Sequence, residues 1–197
     1  LISVAMKTAK EGLTGMEFAT GIPGTIGGAV YMNAGAYLKS VADSLVEIKV
    51  LDNNLNVVTI KNGDLGFAYR KSNLMDNKFI VLSATFKLVD GEKDEILKVI
   101  KDRKERRMSS QPLEYPSAGS VFRNPEGDYA GRLIEECGLK GKQIGGAQIS
   151  EKHANFVINK DNAISSDIKS LIELAKSEVY KKFNIELKVE QEFFNWE

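Results

Sequence analysis

Cysteine, histidine and tryptophan each occur once in 197 residues. A lone Cys137 excludes an internal disulfide and fits a reducing compartment, so a cytoplasmic location is expected. The lack of any Cys/His cluster argues against a structural zinc site, and no metal is expected. With His153 as the sole histidine, a hydrolytic Ser–His arrangement would have only one choice of base. Neither sign of charge is in excess: 27 Lys and Arg balance 27 Asp and Glu. Nothing in the net charge therefore argues for nucleic acid or a membrane surface as partner. No apolar run approaches the ~20 residues that span a bilayer. Internal repeats and low-complexity tracts are absent too. What is left is an ordinary globular composition, 43% hydrophobic and 27% charged. The length suits one large domain or two small ones with a sizeable core.

One stretch departs from that composition: Gly21-Ile22-Pro23-Gly24-Thr25-Ile26-Gly27-Gly28-Ala29, running on through Asn33 and Gly35. It is rich in glycine and bare of charge. Glycine reaches positive φ without a Cβ clash and lets another molecule approach the backbone. The stretch is then either a crowded turn packed on itself or an anion cradle, with Gly24 to Ala29 opening a helix whose N-terminus attracts phosphate. No Gly-Lys-Ser/Thr follows, so it is not a Walker loop, and its spacing is not the usual dinucleotide fingerprint.

Along the chain, Ile2, Ala5, Met6 and Ala9 predict a short helix stopped at Gly12. Leu45 to Leu51 and Val57 to Ile60 read as two strands joined by Asp52-Asn53-Asn54, a hairpin. Lys61-Asn62-Gly63-Asp64 is a further turn. Ile80, Leu82, Ala84, Phe86 and Leu88 alternate with other residues, which predicts a strand with that set on its buried face. A helix follows with Ile96, Leu97 and Ile100 inward, acidic at its start and basic at its end, where a solvated face is expected. The two prolines of Gln111-Pro112-Leu113-Glu114-Tyr115-Pro116 cannot continue it and read as a linker. Beyond it come a short strand near Val121, a helix from Tyr129 to Cys137, strands at 144–149 and 155–158, a long helix capped by Ser166 or Asp167, and a last strand near Ile185 to Val189. That alternation points to an α+β or α/β layer domain.

Several residues could carry chemistry. Small neighbours leave Ser120 exposed, yet Phe122 rules out a Gly-x-Ser-x-Gly elbow. A hydroxyl is a very weak acid and donates only to a strongly basic acceptor held close by. Arg70 reads by itself as a surface arginine, Glu190 as a surface carboxylate. Asn124 has an amide that both donates and accepts. His153 reads as a packed or capping side chain, and Cys137 as the buried face of its helix.

Three segments in order, EGLTGMEFATGIPGTIGGAVYMNAGAY ending at Tyr37, Tyr69-Arg70-Lys71-Ser72, and Ala118-Gly119-Ser120-Val121-Phe122-Arg123-Asn124-Pro125, closely resemble the UDP-N-acetylenolpyruvoylglucosamine reductase (MurB) family. The resemblance covers nearly the whole chain. It implies an α+β fold: the end of a flavin-binding domain of the PCMH-like superfamily over residues 1–110, an α/β substrate-binding domain over 111–186, and a return segment over 187–197. It also implies that a further flavin-binding portion would precede Leu1. Only Asn73 to Lys78 separates the second segment from the next strand, so the shorter type, lacking an extra tyrosine-bearing loop, is expected.

The implied activity is FAD-dependent, NADPH-driven reduction of the enolpyruvyl ether of UDP-N-acetylglucosamine to UDP-N-acetylmuramate, in a monomer. Gly21, Ile22, Pro23, Gly24, Thr25, Gly27, Gly28 and Ala29 would bind the cofactor, and Asn124 the substrate. Arg70 and Glu190 would stabilise an enolate-like species, which Ser120 would protonate. At the glutamate this chain departs from the family's Pro-Glu-Val pattern: Val189 replaces the proline, Gln191 the valine, and Glu192 competes for the role. Two alternatives remain, another flavin oxidoreductase of the same superfamily and a non-catalytic module that binds a nucleotide sugar.

Overall fold

The computed structural model describes residues 1–194; the end of the expected return segment, residues 195–197, lies outside the described residues. The chain forms two compact units, Leu1–Lys104 and Glu105 onward. The division falls inside a helix, a little before the linker that the sequence suggests.

In the first unit, α1 (Ile2–Lys10) buries Ala5 and Ala9 and ends where Gly12 turns left-handed. Next come β1 (Leu13–Thr14), a 3-10 turn over Glu17–Gly21, and α2 (Ile26–Tyr31). A small hairpin follows, β2 (Gly35–Ala36) on β3 (Lys39–Ser40). The main sheet has β4 (Leu45–Leu51) at its centre, flanked by β5 (Val57–Lys61) and, past the short helix α3 (Leu74–Asn77), by β6 (Ile80–Phe86). Asp52 closes the expected β4–β5 hairpin, since its Oδ1 accepts from the N–H groups of Asn54 and Asn56, both at 2.8 Å. β7 (Val89–Asp90) pairs back to β1. The core lies between the sheet and the helices, around Met16, Phe18, Val30, Val41, Ile48, Val50 and Leu65.

One strand differs from its sequence pattern. Its pairing steps from Lys49↔Ser83 to Val50↔Val81, so Leu82 is an extra residue. Such a bulge reverses which side chains face inward. Ala84 and Phe86 pack on the core as expected, but beyond the bulge Val81 takes the inward place. Ile80 and Leu82 are 61% and 52% exposed.

Helix α4 (Lys93–Ser110) buries Ile96 and Ile100. Its basic end is not wholly a solvated face, because the Arg103 guanidinium stacks on the Tyr37 ring at 4.6 Å.

The second unit is a four-stranded sheet in the order β8 (Ser117–Ser120), β11 (Phe156–Asn159), β10 (Ala147–Ile149), β9 (Gln143–Ile144), with helices α5 (Ala130–Glu136) and α6 (Ser165–Phe183). Every pair in it is antiparallel, so the unit is α+β and not the α/β domain expected over 111–186: among the described residues no parallel strands joined by crossover helices are formed. Leu133, Ile134, Ile149, Leu171, Ile172 and Val179 form its core. At the start of α6 the Asp167 carboxylate reaches back to the Ile164 N–H at 3.1 Å and also holds the Gly146 N–H. The expected last strand is reduced to one bridge, Phe122↔Val189, with Leu187 buried beside it. Residues 187–190 of the return segment thus pack within the second unit.

Candidate functional site

The glycine segment lies on the surface of the first unit. Gly24 takes φ +147, where L side chains are strained, and nothing stands within 4 Å of the position of its missing Cβ. Thr25 caps α2, its Oγ1 accepting from the Gly28 N–H at 3.0 Å. Pro23, Gly24, Thr25 and Gly28 are exposed and Ile26 and Gly27 half-buried, so the segment can be closely approached by a large planar or anionic group such as a flavin nucleotide. Ala29 is different: its methyl is buried in the core and its N–H donates to Thr25 O at 3.1 Å. It holds the segment in place and presents nothing outward.

Arg70 sits in a tight turn in which Ala68 and Lys71 exchange backbone hydrogen bonds. Its own φ is +54, a conformation that costs a non-glycine residue about 1–2 kcal/mol. Such strain persists only where surroundings over-determine it. Asn33 and Ser72, both buried, supply the constraint. Asn33 Nδ2 donates to Ala68 O at 2.9 Å and its Oδ1 accepts from the Ala42 N–H at 3.1 Å. The Ser72 hydroxyl donates to Tyr31 O at 2.6 Å. Arg70 Nη2 in turn donates to Gly35 O at 3.0 Å, and the guanidinium lies 5.1 Å from the Tyr69 ring centroid. The turn is therefore stapled to residues 31–35, directly downstream of the glycine segment. Sequence reasoning missed Asn33 and Ser72 as supports, although both lie inside the segments it singled out.

In the second unit β8 carries Ser120, which is exposed. The chain then bends so that Val121 and Phe122 are buried. Glu190 is brought alongside, its N–H donating to Val121 O at 2.8 Å. Ser120 and Glu190 are thus near neighbours on adjoining segments. Asn124 Oδ1 accepts from the Ala130 N–H at 3.1 Å at the start of α5. One of the two lone pairs on that oxygen is committed, so towards a ligand the amide is weighted to its two donors. Glu192 lies two residues past Glu190 and makes no strand bridge.

Asn155, which sequence reasoning also missed, clamps this strand. Its Oδ1 accepts from the Phe122 N–H at 2.9 Å, its Nδ2 donates to Phe122 O at 2.8 Å, and its backbone O accepts from Val121. His153 Nδ1 accepts the Asn155 N–H at 3.2 Å and its ring packs edge-on to Phe156. Burial, with the nearby Lys140 charge, holds this imidazole below its usual pKa and so neutral. It is a packed, backbone-capping histidine. On α5, the Arg132 guanidinium beside Asp128 lowers that carboxyl to about 2. Burial raises the Cys137 thiol. Among the described residues no group of three His, Cys, Asp or Glu side chains could hold a metal, and no helix is long and apolar enough to cross a membrane.

The family described as UDP-N-acetylenolpyruvoylglucosamine reductase, C-terminal domain, matches residues 111–194. An FAD binding domain family matches residues 1–61, which include the glycine segment. The UDP-N-acetylenolpyruvoylglucosamine reductase of Caldicellulosiruptor bescii is 50% identical over 195 residues, 98% of this chain and 62% of that protein. The enzyme of the same name from Clostridium botulinum strain 657 is 48% identical, over 96% of this chain and 62% of its own length. The crystal structure of the reductase from Thermus caldophilus superposes with a TM-score of 0.84 at 36% identity, covering 96% of this chain and 68% of that one. The chain thus spans less than two thirds of the length of these curated relatives.

Proposed function

The chain belongs to the UDP-N-acetylenolpyruvoylglucosamine reductase family, and from that membership we propose that it works in the reduction of UDP-N-acetylglucosamine enolpyruvate to UDP-N-acetylmuramate for peptidoglycan synthesis. FAD, rereduced by NADPH, would supply the hydride. Pro23, Gly24, Thr25 and Gly28, which are exposed, with the half-buried Gly21, Ile22 and Gly27, would hold the cofactor through their backbone.

The remaining chemistry falls to side chains of this chain. Addition of a hydride to the terminal carbon of an enolpyruvyl group places negative charge on the neighbouring carbon and its carboxylate. Stabilisation belongs where that charge develops. Arg70 suits the task because its guanidinium is permanently charged and its fork is oriented by the bond to Gly35 O. Ser120 would donate the proton that completes the reaction, as the enolate-like carbon is basic enough to take it. A bare Glu190 carboxylate would repel the same charge, so it acts protonated or through a hydrogen bond.

The observation that carries this reading is the juxtaposition of Ser120 and Glu190 through the Glu190 N–H to Val121 O bond. The test is Ser120→Ala, with the two half-reactions followed separately. Flavin reduction by NADPH should survive, while reoxidation by the enolpyruvyl substrate should be lost. Loss of both half-reactions together counts against a proton-donor role.

A further inference from the structure

Arg123 has no part in the chemistry described so far. Its backbone is well tied, with its N–H on Lys188 O at 2.9 Å. Its side chain is not: Nε is buried and has no hydrogen-bond partner. A guanidinium is always charged and offers donors only, so a buried donor of this kind without an acceptor is costly.

The local register adds a second observation. The bridge Phe122↔Val189 sets Arg123 opposite Lys188, and residues opposite each other in an antiparallel pair share a face. Like charges so placed repel. Among the described residues no carboxylate forms an ion pair with either cation. The unsatisfied donor would be relieved by one anionic oxygen, and the exposed Lys188 opposite it adds charge of the same sign. The neighbouring Asn124 suits the same chemistry, since its oxygen is already engaged by the Ala130 N–H while its two Nδ2 donors are available.

We propose that Arg123, with Lys188 beside it, binds an anionic oxygen of the substrate and so fixes the substrate relative to Ser120, three residues earlier. This rests on the nucleotide-sugar reading above. That substrate carries anionic oxygens on its diphosphate and on its enolpyruvyl carboxylate.

The test is an NMR titration of the full chain that follows the Arg Nε–H resonances, with Arg123 assigned by its absence from Arg123→Lys. The probes are inorganic diphosphate, UDP-N-acetylglucosamine and UDP-N-acetylglucosamine enolpyruvate. The Arg123 Nε–H should shift and exchange more slowly on binding. Arg123→Gln should weaken binding by roughly ten- to a hundred-fold, and Arg123→Lys should restore part of the loss. A loss seen with both UDP compounds assigns the diphosphate; a loss confined to the enolpyruvyl compound assigns its carboxylate. Should the wild type bind inorganic diphosphate through Arg123 but neither UDP compound, the anion site stands and the nucleotide-sugar reading falls. An Nε–H that does not move at saturation, or an Arg123→Gln chain that binds all probes like the wild type, overturns the proposal. No binding of any probe overturns both. If Arg123→Gln fails to fold, the Nε–H shift in the wild type decides alone.

Discussion

Replacing Asn155 isolates the clamp behind Ser120. The side chain makes two hydrogen bonds to Phe122, at 2.9 and 2.8 Å, and both residues are at most 4% exposed. Asn155→Ala leaves a buried N–H and a buried C=O without partners, and at about 1–3 kcal/mol for each orphaned group the total is roughly 2–6 kcal/mol. Asn155→Asp is the sharper variant. It keeps an acceptor for the Phe122 N–H but turns a carboxylate oxygen towards Phe122 O. The ionised form is repelled and buried, so its folded pKa lies above the unfolded value of about 3.9. The proton that relieves it binds more tightly in the folded chain. Stability of the aspartate variant is therefore highest below that unfolded value and is lost as pH rises through the folded one. Urea unfolding followed by circular dichroism measures the effect, with hydrogen exchange at the Val121 and Glu190 amides to place it on this strand. With a slope of about 2 kcal/mol per molar urea, a loss of that size moves the midpoint by roughly 1–3 M. An unchanged midpoint for Asn155→Ala, or an aspartate variant as stable as wild type at neutral pH, refutes the clamp.

Three further outcomes are expected. Gly146→Ala should express as misfolded protein, because its Cβ would stand 2.0 Å from Asp161 O and 2.5 Å from Ala163 N, backbone atoms that cannot yield; a soluble variant with a wild-type melting temperature argues against that packing. Arg70→Gly relieves a left-handed residue by about 1–2 kcal/mol and gives up a hydrogen bond worth about 1 kcal/mol. Its melting temperature should therefore hardly move while substrate turnover is lost, and retained turnover removes Arg70 from the chemistry. His153, whose folded pKa is depressed, keeps its full contribution above about pH 6.5 and loses it as pH falls, because the unfolded chain takes the proton first. His153→Gln should flatten the fall in stability below that pH, and an equally steep fall in the variant excludes the histidine as its cause.

Periodicity made much of the fold legible. α1, α4 and α6 repeat their apolar residues at helical spacing, and Asp52-Asn53-Asn54 mark a hairpin by turn chemistry alone. The bulge at Leu82 was not legible, because unbroken alternation through Ile80 to Leu88 carries no sign of where a strand gains a residue; the partner strand decides that. The return segment likewise has a strand's composition but meets its neighbour at one bridge. For the site, Ser120 and the glycine segment could be picked out from residue types, whereas Arg70 and Glu190 look like surface charges and entered through the resemblance. Asn33, Ser72 and Asn155 escaped notice for one physical reason. Each is a polar residue whose purpose is to satisfy distant backbone groups, and those partners, up to 41 positions away for Ser72, are brought near only by the fold. Asn124 shows the converse: its amide looked ambivalent until α5 claimed one lone pair of the oxygen.

The most direct measurement is the visible absorption of FAD titrated with this chain, because the flavin chemistry proposed here begins with the open backbone at Pro23 to Gly28. Binding should perturb and sharpen the flavin bands to saturation, and Gly24→Val, which fills the open side and strains a φ of +147, should abolish the change. A flavin spectrum that stays that of free FAD with the chain in excess, or one perturbed equally by the valine variant, would contradict a cofactor site in the glycine segment.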